Sequence, residues 1–255
     1  MTITLPLTIL TFSPILLLLN DWLGLNAYPQ VGDYPIAYDD IFKFVIWTPF
    51  SLLMISWIDS LAIPSPTYFQ RSVLNLLSGL YVYGFGVNHS CNAISNYGER
   101  LGGGKGVGGK MEGWVYFYDE YVGHWIIVAV YAALQVWWVL NTDGGGEGGK
   151  KGGKGGGGGI WLFFIGAFGG YFSSMLIIES QAVPLIIPLD LLIFLLASRV
   201  SRSTQLSKYI TINSAVHIIM FAVWHWKFGR WVEPSELRGD GWKDLEVMSL
   251  GLLRN

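Results

Sequence analysis

Residues 115–140 read VYFYDEYVGHWIIVAVYAALQVWWVL. From Trp125 to Leu140 the run carries no charge and neither Gly nor Pro. A helix that crosses the hydrocarbon core of a bilayer needs about 20 mostly apolar residues. This stretch supplies them and gathers Asp119, Glu120 and His124 at one end. A soluble core helix is usually shorter and alternates polar and apolar faces. The run therefore predicts a transmembrane helix, and that reading decides the fold.

Working outward, similar runs cover residues 4–20, 41–58, 73–97, 160–178, 183–197 and 209–228. The expected architecture is all-α, a polytopic membrane bundle of about seven spans over residues 1–228. A short polar tail follows at 229–255. The first run has a rival reading as a signal peptide cut near residues 25–27, which leaves six spans. It lacks a basic residue ahead of its apolar stretch, which favours a retained helix. Trp22, Tyr34, Trp57, Trp114, Tyr116, Tyr118, Trp161, Trp226 and Trp231 lie near span ends, where an aromatic belt is expected.

The composition agrees. The chain has 255 residues, 52% of them hydrophobic and only 13% charged, against roughly 25% in soluble domains. Its mean hydropathy is +0.43. A net charge of −2 gives no basic footprint for nucleic acid. One cysteine, Cys91, excludes an intramolecular disulfide framework and a Cys-rich zinc site. The expected partner is the lipid bilayer.

Two stretches differ in kind. Residues 101–113 and 141–159 are Gly/Lys-rich and cannot bury enough apolar area to offset chain entropy, so they read as flexible linkers. The first contains Gly104 to Lys110 in the order G-x-x-x-x-G-K, but Met111 stands where a phosphate loop needs Ser or Thr. No strand pattern precedes it, so nucleotide binding is not expected. Basic residues divide seven against eight between the two sides of a seven-span chain, so the positive-inside rule assigns no orientation. Gly84, Gly86, Gly166, Gly169 and Gly170 fall within spans, where small residues let helices approach closely.

Ionisable groups inside a span are costly and point to function. All four histidines, His89, His124, His217 and His225, fall in expected spans. With the spans alternating in direction, Asn88, His89, Asn92, Asp119, Glu120, His124 and Glu179 gather towards the face opposite the N-terminus. His217 and Asn213 stand nearer the midplane. Neutral imidazole with carboxylate suits a divalent transition metal such as zinc. The candidate metal ligands are His89, His124 and His217, with Asp119 or Glu120 as a further ligand or general base. Asn92, Asn213 and Glu179 would orient those ligands. His225 lies about 12 Å along the helix from His217 and reads as an interfacial residue. Asp190 stands mid-span with no partner legible in the sequence. Each of these groups also has a structural reading, as a helix start or an interhelical hydrogen bond.

A seven-span core with His89 on an early helix, Asp119 nearby and His217 on the last helix resembles the membrane hydrolase superfamily of alkaline ceramidases and adiponectin-type receptors. The resemblance covers residues 1–228 in outline. It implies a zinc-dependent lipid amidase, with His89, Asp119 and His217 at the matching positions. The family carries two histidines at i, i+4 on its last helix; here the pair is His217 and His225, at i, i+8. His124 has no counterpart. The expectation is a metal-dependent hydrolase acting on a lipid-like amide or ester. The alternatives are a non-enzymatic transporter or structural subunit, and a redox protein with bis-His haem.

Overall fold

A computed structural model describes residues 3–12, 41–63, 65–101, 114–115, 117–142, 158–200 and 204–231. Among them the chain is helical and has no strand. The α-helices are α1 (Thr4–Phe12), α2 (Thr48–Ala62), α3 (Tyr68–Leu101), α4 (His124–Asn141), α5 (Gly158–Glu179), α6 (Val183–Val200) and α7 (Gln205–Phe228). A π-helical segment leads into α2 (Phe42–Trp47) and another into α4 (Phe117–Gly123). Most of both linkers, the remainder of the first run and the tail beyond residue 231 lie outside the described residues, as do the side chains of Asn92 and Glu120.

Among the described residues four helices are long and apolar enough to cross a membrane: Phe42–Ala62, Phe117–Asn141, Gly159–Glu179 and Gln205–Phe228. Their outward faces are apolar, as a lipid environment requires. Leu53, Phe163, Phe164, Leu176 and Ile219 are all exposed. Several polar side chains turn inward, among them Ser51, Gln135, Ser174, Asn213 and His217. On α7 the buried face includes Tyr209, Asn213, His217, Phe221 and Trp224, spaced at three or four residues. On α6 the buried set is Val183, Ile186, Asp190, Ile193 and Ala197, while Leu191, Leu192 and Leu195 face out.

Residue pairings give the helix directions. Gly166 meets Tyr209 and Ile212, Gly170 meets Asn213 and Val216, and Ser173 meets His217, so α5 and α7 run parallel. Thr4 bonds Gln205 and Thr11 bonds Tyr209, so α1 is parallel to both. Gln70 bonds Asn141 while Gly84 meets Ile127 and Asn88 meets Gly123, so α3 and α4 are antiparallel.

Local chemistry fixes the ends. Thr204 caps α7, its hydroxyl accepting from the Ser207 amide at 3.2 Å. Gly229 closes α7 in the left-handed conformation at φ 66°. Between α5 and α6 the Ala182 amide donates to the Ile177 carbonyl and the Gln181 amide to the Ile178 carbonyl. That is a Schellman stop with Gln181, at φ 50°, where Gly is usual. The Tyr121 hydroxyl donates to Gln181 Oε1 and the Trp125 indole to the Ser180 carbonyl, which ties the start of α4 to this turn.

The tightest helix contact is α5 against α7. A Cβ on Gly170 would lie 2.8 Å from the Asn213 carbonyl oxygen and 2.8 Å from Val216 Cβ. Real Cβ atoms do not come that close to backbone, so the contact requires glycine there. One turn further along α5 stands Ser173, which this approach carries to the polar face of α7.

Candidate functional site

Among the described residues two polar clusters bear on the candidate site. The first joins α5, α6 and α7. His217 is 1% exposed and Asp190 2%. His217 Nδ1 is 2.9 Å from Asp190 Oδ2, and His217 Nε2 is 2.6 Å from Ser173 Oγ. With Nδ1–H donated to the carboxylate, Nε2 keeps its lone pair and accepts from the serine hydroxyl. The order is hydroxyl, imidazole, carboxylate, with the imidazole between. Ser173 Oγ also lies 2.5 Å from the Gly169 carbonyl, so its single proton chooses between that oxygen and Nε2. Pro188 has no amide proton to give the carbonyl at position 184, which loosens α6 two residues before Asp190.

Asn213 stands one turn before His217 on the same buried face. It is fully buried, and neither its Nδ2 nor its Oδ1 has a partner among the described residues. Beyond it, the Tyr209 hydroxyl bonds Thr11 at 3.0 Å and stands beside the Tyr131 hydroxyl.

The second cluster joins α3 to the π-helical segment before α4. The Asn88 amide donates to Asp119 Oδ1 at 2.5 Å and to His124 Nε2 at 3.1 Å. Its two protons serve the two acceptors, so His124 carries its own proton on Nδ1. Gly123 permits this contact, since a Cβ there would meet the Asn88 backbone nitrogen at 3.0 Å. His89, 5% exposed, is wedged between Phe44 and Phe85 at ring-centre distances of 5.4 and 5.3 Å. Neither of its ring nitrogens has a hydrogen-bond partner among the described residues. An open apolar groove on the outer side of α3 is lined by Tyr83, Gly86, Val87, Ser90, Cys91 and Tyr118.

The residues singled out in the sequence thus divide. Asp119 and His124 share Asn88, and His89 is its neighbour in the chain. His217 instead bonds Ser173 and Asp190. Among the described residues no three of His, Cys, Asp and Glu stand together to hold a metal ion. Glu179 ends α5, six residues and about 9 Å of helix rise beyond Ser173. His225 is exposed and stacks near Trp231 at 5.0 Å, as an interfacial residue would.

Sequence reasoning missed Ser173 and the partner of Asp190. A serine in an apolar helix carries no motif. The available signal was its place one turn after Gly169 and Gly170, the residues that permit close approach. Comparison with known protein families, curated proteins and solved structures finds no match for this chain. Its class rests on its own residues: the described residues are all-helical, with four helices long and apolar enough to cross a membrane and several polar groups turned to the interior.

Proposed function

We propose that this chain is a multi-pass membrane hydrolase of the serine type, acting on a lipid-like ester or amide. The observation that carries the reading is the Ser173–His217–Asp190 hydrogen-bond chain at 2.6 and 2.9 Å. A nucleophile, a base and a group that orients the base, each within hydrogen-bond reach of the next, is the signature of an activated serine. The expectation of seven spans belongs to this reading and is supported by the parallel α1, α5 and α7.

The chemistry needs no group beyond these residues, substrate and water. Ser173 Oγ attacks the acyl carbonyl and its proton passes to His217 Nε2. Asp190 holds the imidazole by Nδ1–H and stabilises the imidazolium. The tetrahedral adduct collapses, the C–O or C–N bond breaks, and the leaving alcohol or amine takes the proton from Nε2. Water then attacks the acyl-serine with His217 again as base. The products are a carboxylic acid and free Ser173.

The test is covalent labelling in detergent and in liposomes with a long-chain alkyl fluorophosphonate. Wild type is expected to label at Ser173, and Ser173→Ala is not. His217→Ala is expected to label far more slowly. Absence of labelling in folded wild type, together with no hydrolysis of long-chain p-nitrophenyl esters, sinks the reading and leaves the three residues as an interhelical lock.

A metal-assisted hydrolase at the second cluster is the other reading. It is favoured by one observation, the buried His89 ring with both nitrogens unpartnered among the described residues. Stoichiometric zinc in purified protein, lost in His89→Ala, would favour it over the serine reading.

A further inference from the structure

Asn213 is the buried group that the serine chemistry leaves unused. It is fully buried, and its amide can make up to four hydrogen bonds yet has none among the described residues. Buried polar atoms are nearly always paired, and where protein supplies no partner an ordered water does. The surroundings are polar enough to hold one. A point where Gly169 would carry a Cβ lies 2.9 Å from the Tyr209 hydroxyl and 3.3 Å from Asn213 Nδ2, so the two groups are near neighbours. Tyr209, Asn213 and His217 fall at i, i+4 and i+8 and form one polar ladder on α7. At the far end of this ladder Tyr209 joins Thr11 of α1 and Tyr131 of α4.

A serine hydrolase buried among apolar helices has a specific need: water must reach the acyl-enzyme. We propose that Asn213 is the seat of an internal water, held by its amide and the neighbouring Tyr209 hydroxyl one turn before His217, that supplies the deacylation step once acylation of Ser173 has freed His217 Nε2. This rests on the serine reading for its role in turnover, but the water site itself does not. In deacylation the water oxygen attacks the acyl carbonyl and its proton goes to His217 Nε2. Ser173 Oγ then leaves with that proton, and the acid is released. Asn213 would act as a positioning residue, through the water and not on the substrate.

Two readouts separate the claims. The first is water-edited solid-state NMR, which follows magnetisation from water to the ¹⁵N-labelled His217 imidazole in liposomes. Wild type is expected to show transfer; Asn213→Leu, similar in size but apolar, is expected to lose it. Asn213→Ser, which keeps a hydroxyl and leaves room for water, is expected to retain it. The second is the time course with a long-chain p-nitrophenyl ester. Asn213→Leu is expected to keep the initial burst of nitrophenol and to slow the steady phase about tenfold, with Asn213→Ser close to wild type. Transfer that persists in Asn213→Leu overturns the water site. Transfer lost with the steady phase unchanged overturns the supply role. If wild type hydrolyses nothing, the serine reading falls, and the NMR result alone decides the water site. Should Asn213→Leu fail to fold, loss of transfer in Tyr209→Phe supports the water site and retained transfer overturns it.

Discussion

His217 Nε2 and Ser173 Oγ are 2.6 Å apart across 44 residues of chain. Neither residue is placed by its own helix alone. The contact exists because Gly169 and Gly170, one turn before Ser173, let α5 lie against the Tyr209, Asn213 and Val216 side chains and the Asn213 carbonyl of α7. Asp190 arrives from α6 to hold the other side of the same ring.

Asp190→Asn keeps the shape and removes the carboxylate. Ester hydrolysis is expected to fall by on the order of 10²–10⁴-fold, because the amide no longer enforces the tautomer that leaves Nε2 as acceptor. Asp190→Ala is expected to be harsher on folding, since it strands a buried imidazole; a loss of about 3 kcal/mol is the scale for breaking a buried pair. Steady-state kinetics beside thermal unfolding in detergent check both. Equal rates in Asp190→Asn and wild type would remove Asp190 from the mechanism.

Gly170→Ala tests the close approach. The added methyl meets backbone and Val216 at 2.8 Å, so the helices must part, at about 1–3 kcal/mol. Fluorophosphonate labelling should drop with stability, because the same shift separates Ser173 from His217. Gly86→Ala, with nothing within 4 Å of its added carbon, is the control and is expected to be neutral or slightly stabilising. If both variants unfold at the wild-type temperature, the α5–α7 contact is looser than described.

Asn88 holds two acceptors with one amide. Asn88→Leu removes one hydrogen bond from each of Asp119 and His124 and is expected to cost about 1–3 kcal/mol. A double-mutant cycle with Asp119→Asn isolates the pair. A coupling near zero would mean that the 2.5 Å contact carries no net stability.

His89 is an imidazole enclosed by two phenylalanines. An apolar replacement removes an unpaired polar group from a buried site, so His89→Leu is expected to raise stability by about 1 kcal/mol. A lower unfolding temperature together with lost zinc would instead mark His89 as a ligand.

The proposed seven alternating spans would put the linker at 101–113 and the tail on one face, and the linker at 141–159 on the other. In a Cys91→Ser background, Lys105→Cys and Lys243→Cys should react with an impermeant maleimide from the same side of sealed vesicles, and Lys151→Cys from the opposite side. Labelling of all three from one side would overturn the seven-span count.

Much of the fold was legible because a bilayer leaves few choices. Apolar runs such as 115–140 and 209–228 must be helices, since no water is present to satisfy an open backbone. The π-helical segments at Phe42–Trp47 and Phe117–Gly123 were not legible, because their apolar pattern reads as ordinary helix. At the candidate sites the individual residues were visible and their groupings were not. Asp119 and His124 lie in one run and near Asn88 by alternation of the helices. Asp190 showed itself as a charge without a partner, and Ser173 did not show itself at all.

The sequence by itself determined that this chain is helical, apolar on its outside, and equipped with a few ionisable groups too costly to bury without use. Spacing along one helix also determined that Tyr209, Asn213 and His217 share a face. Which groups meet was decided only by tertiary structure. A hydrogen bond depends on sub-ångström approach between different helices, and the order of His, Asp and Ser along a chain does not encode that distance. The packing of Gly169 and Gly170 against α7 set it, and so turned a lone histidine into the centre of a three-residue hydrogen-bond chain.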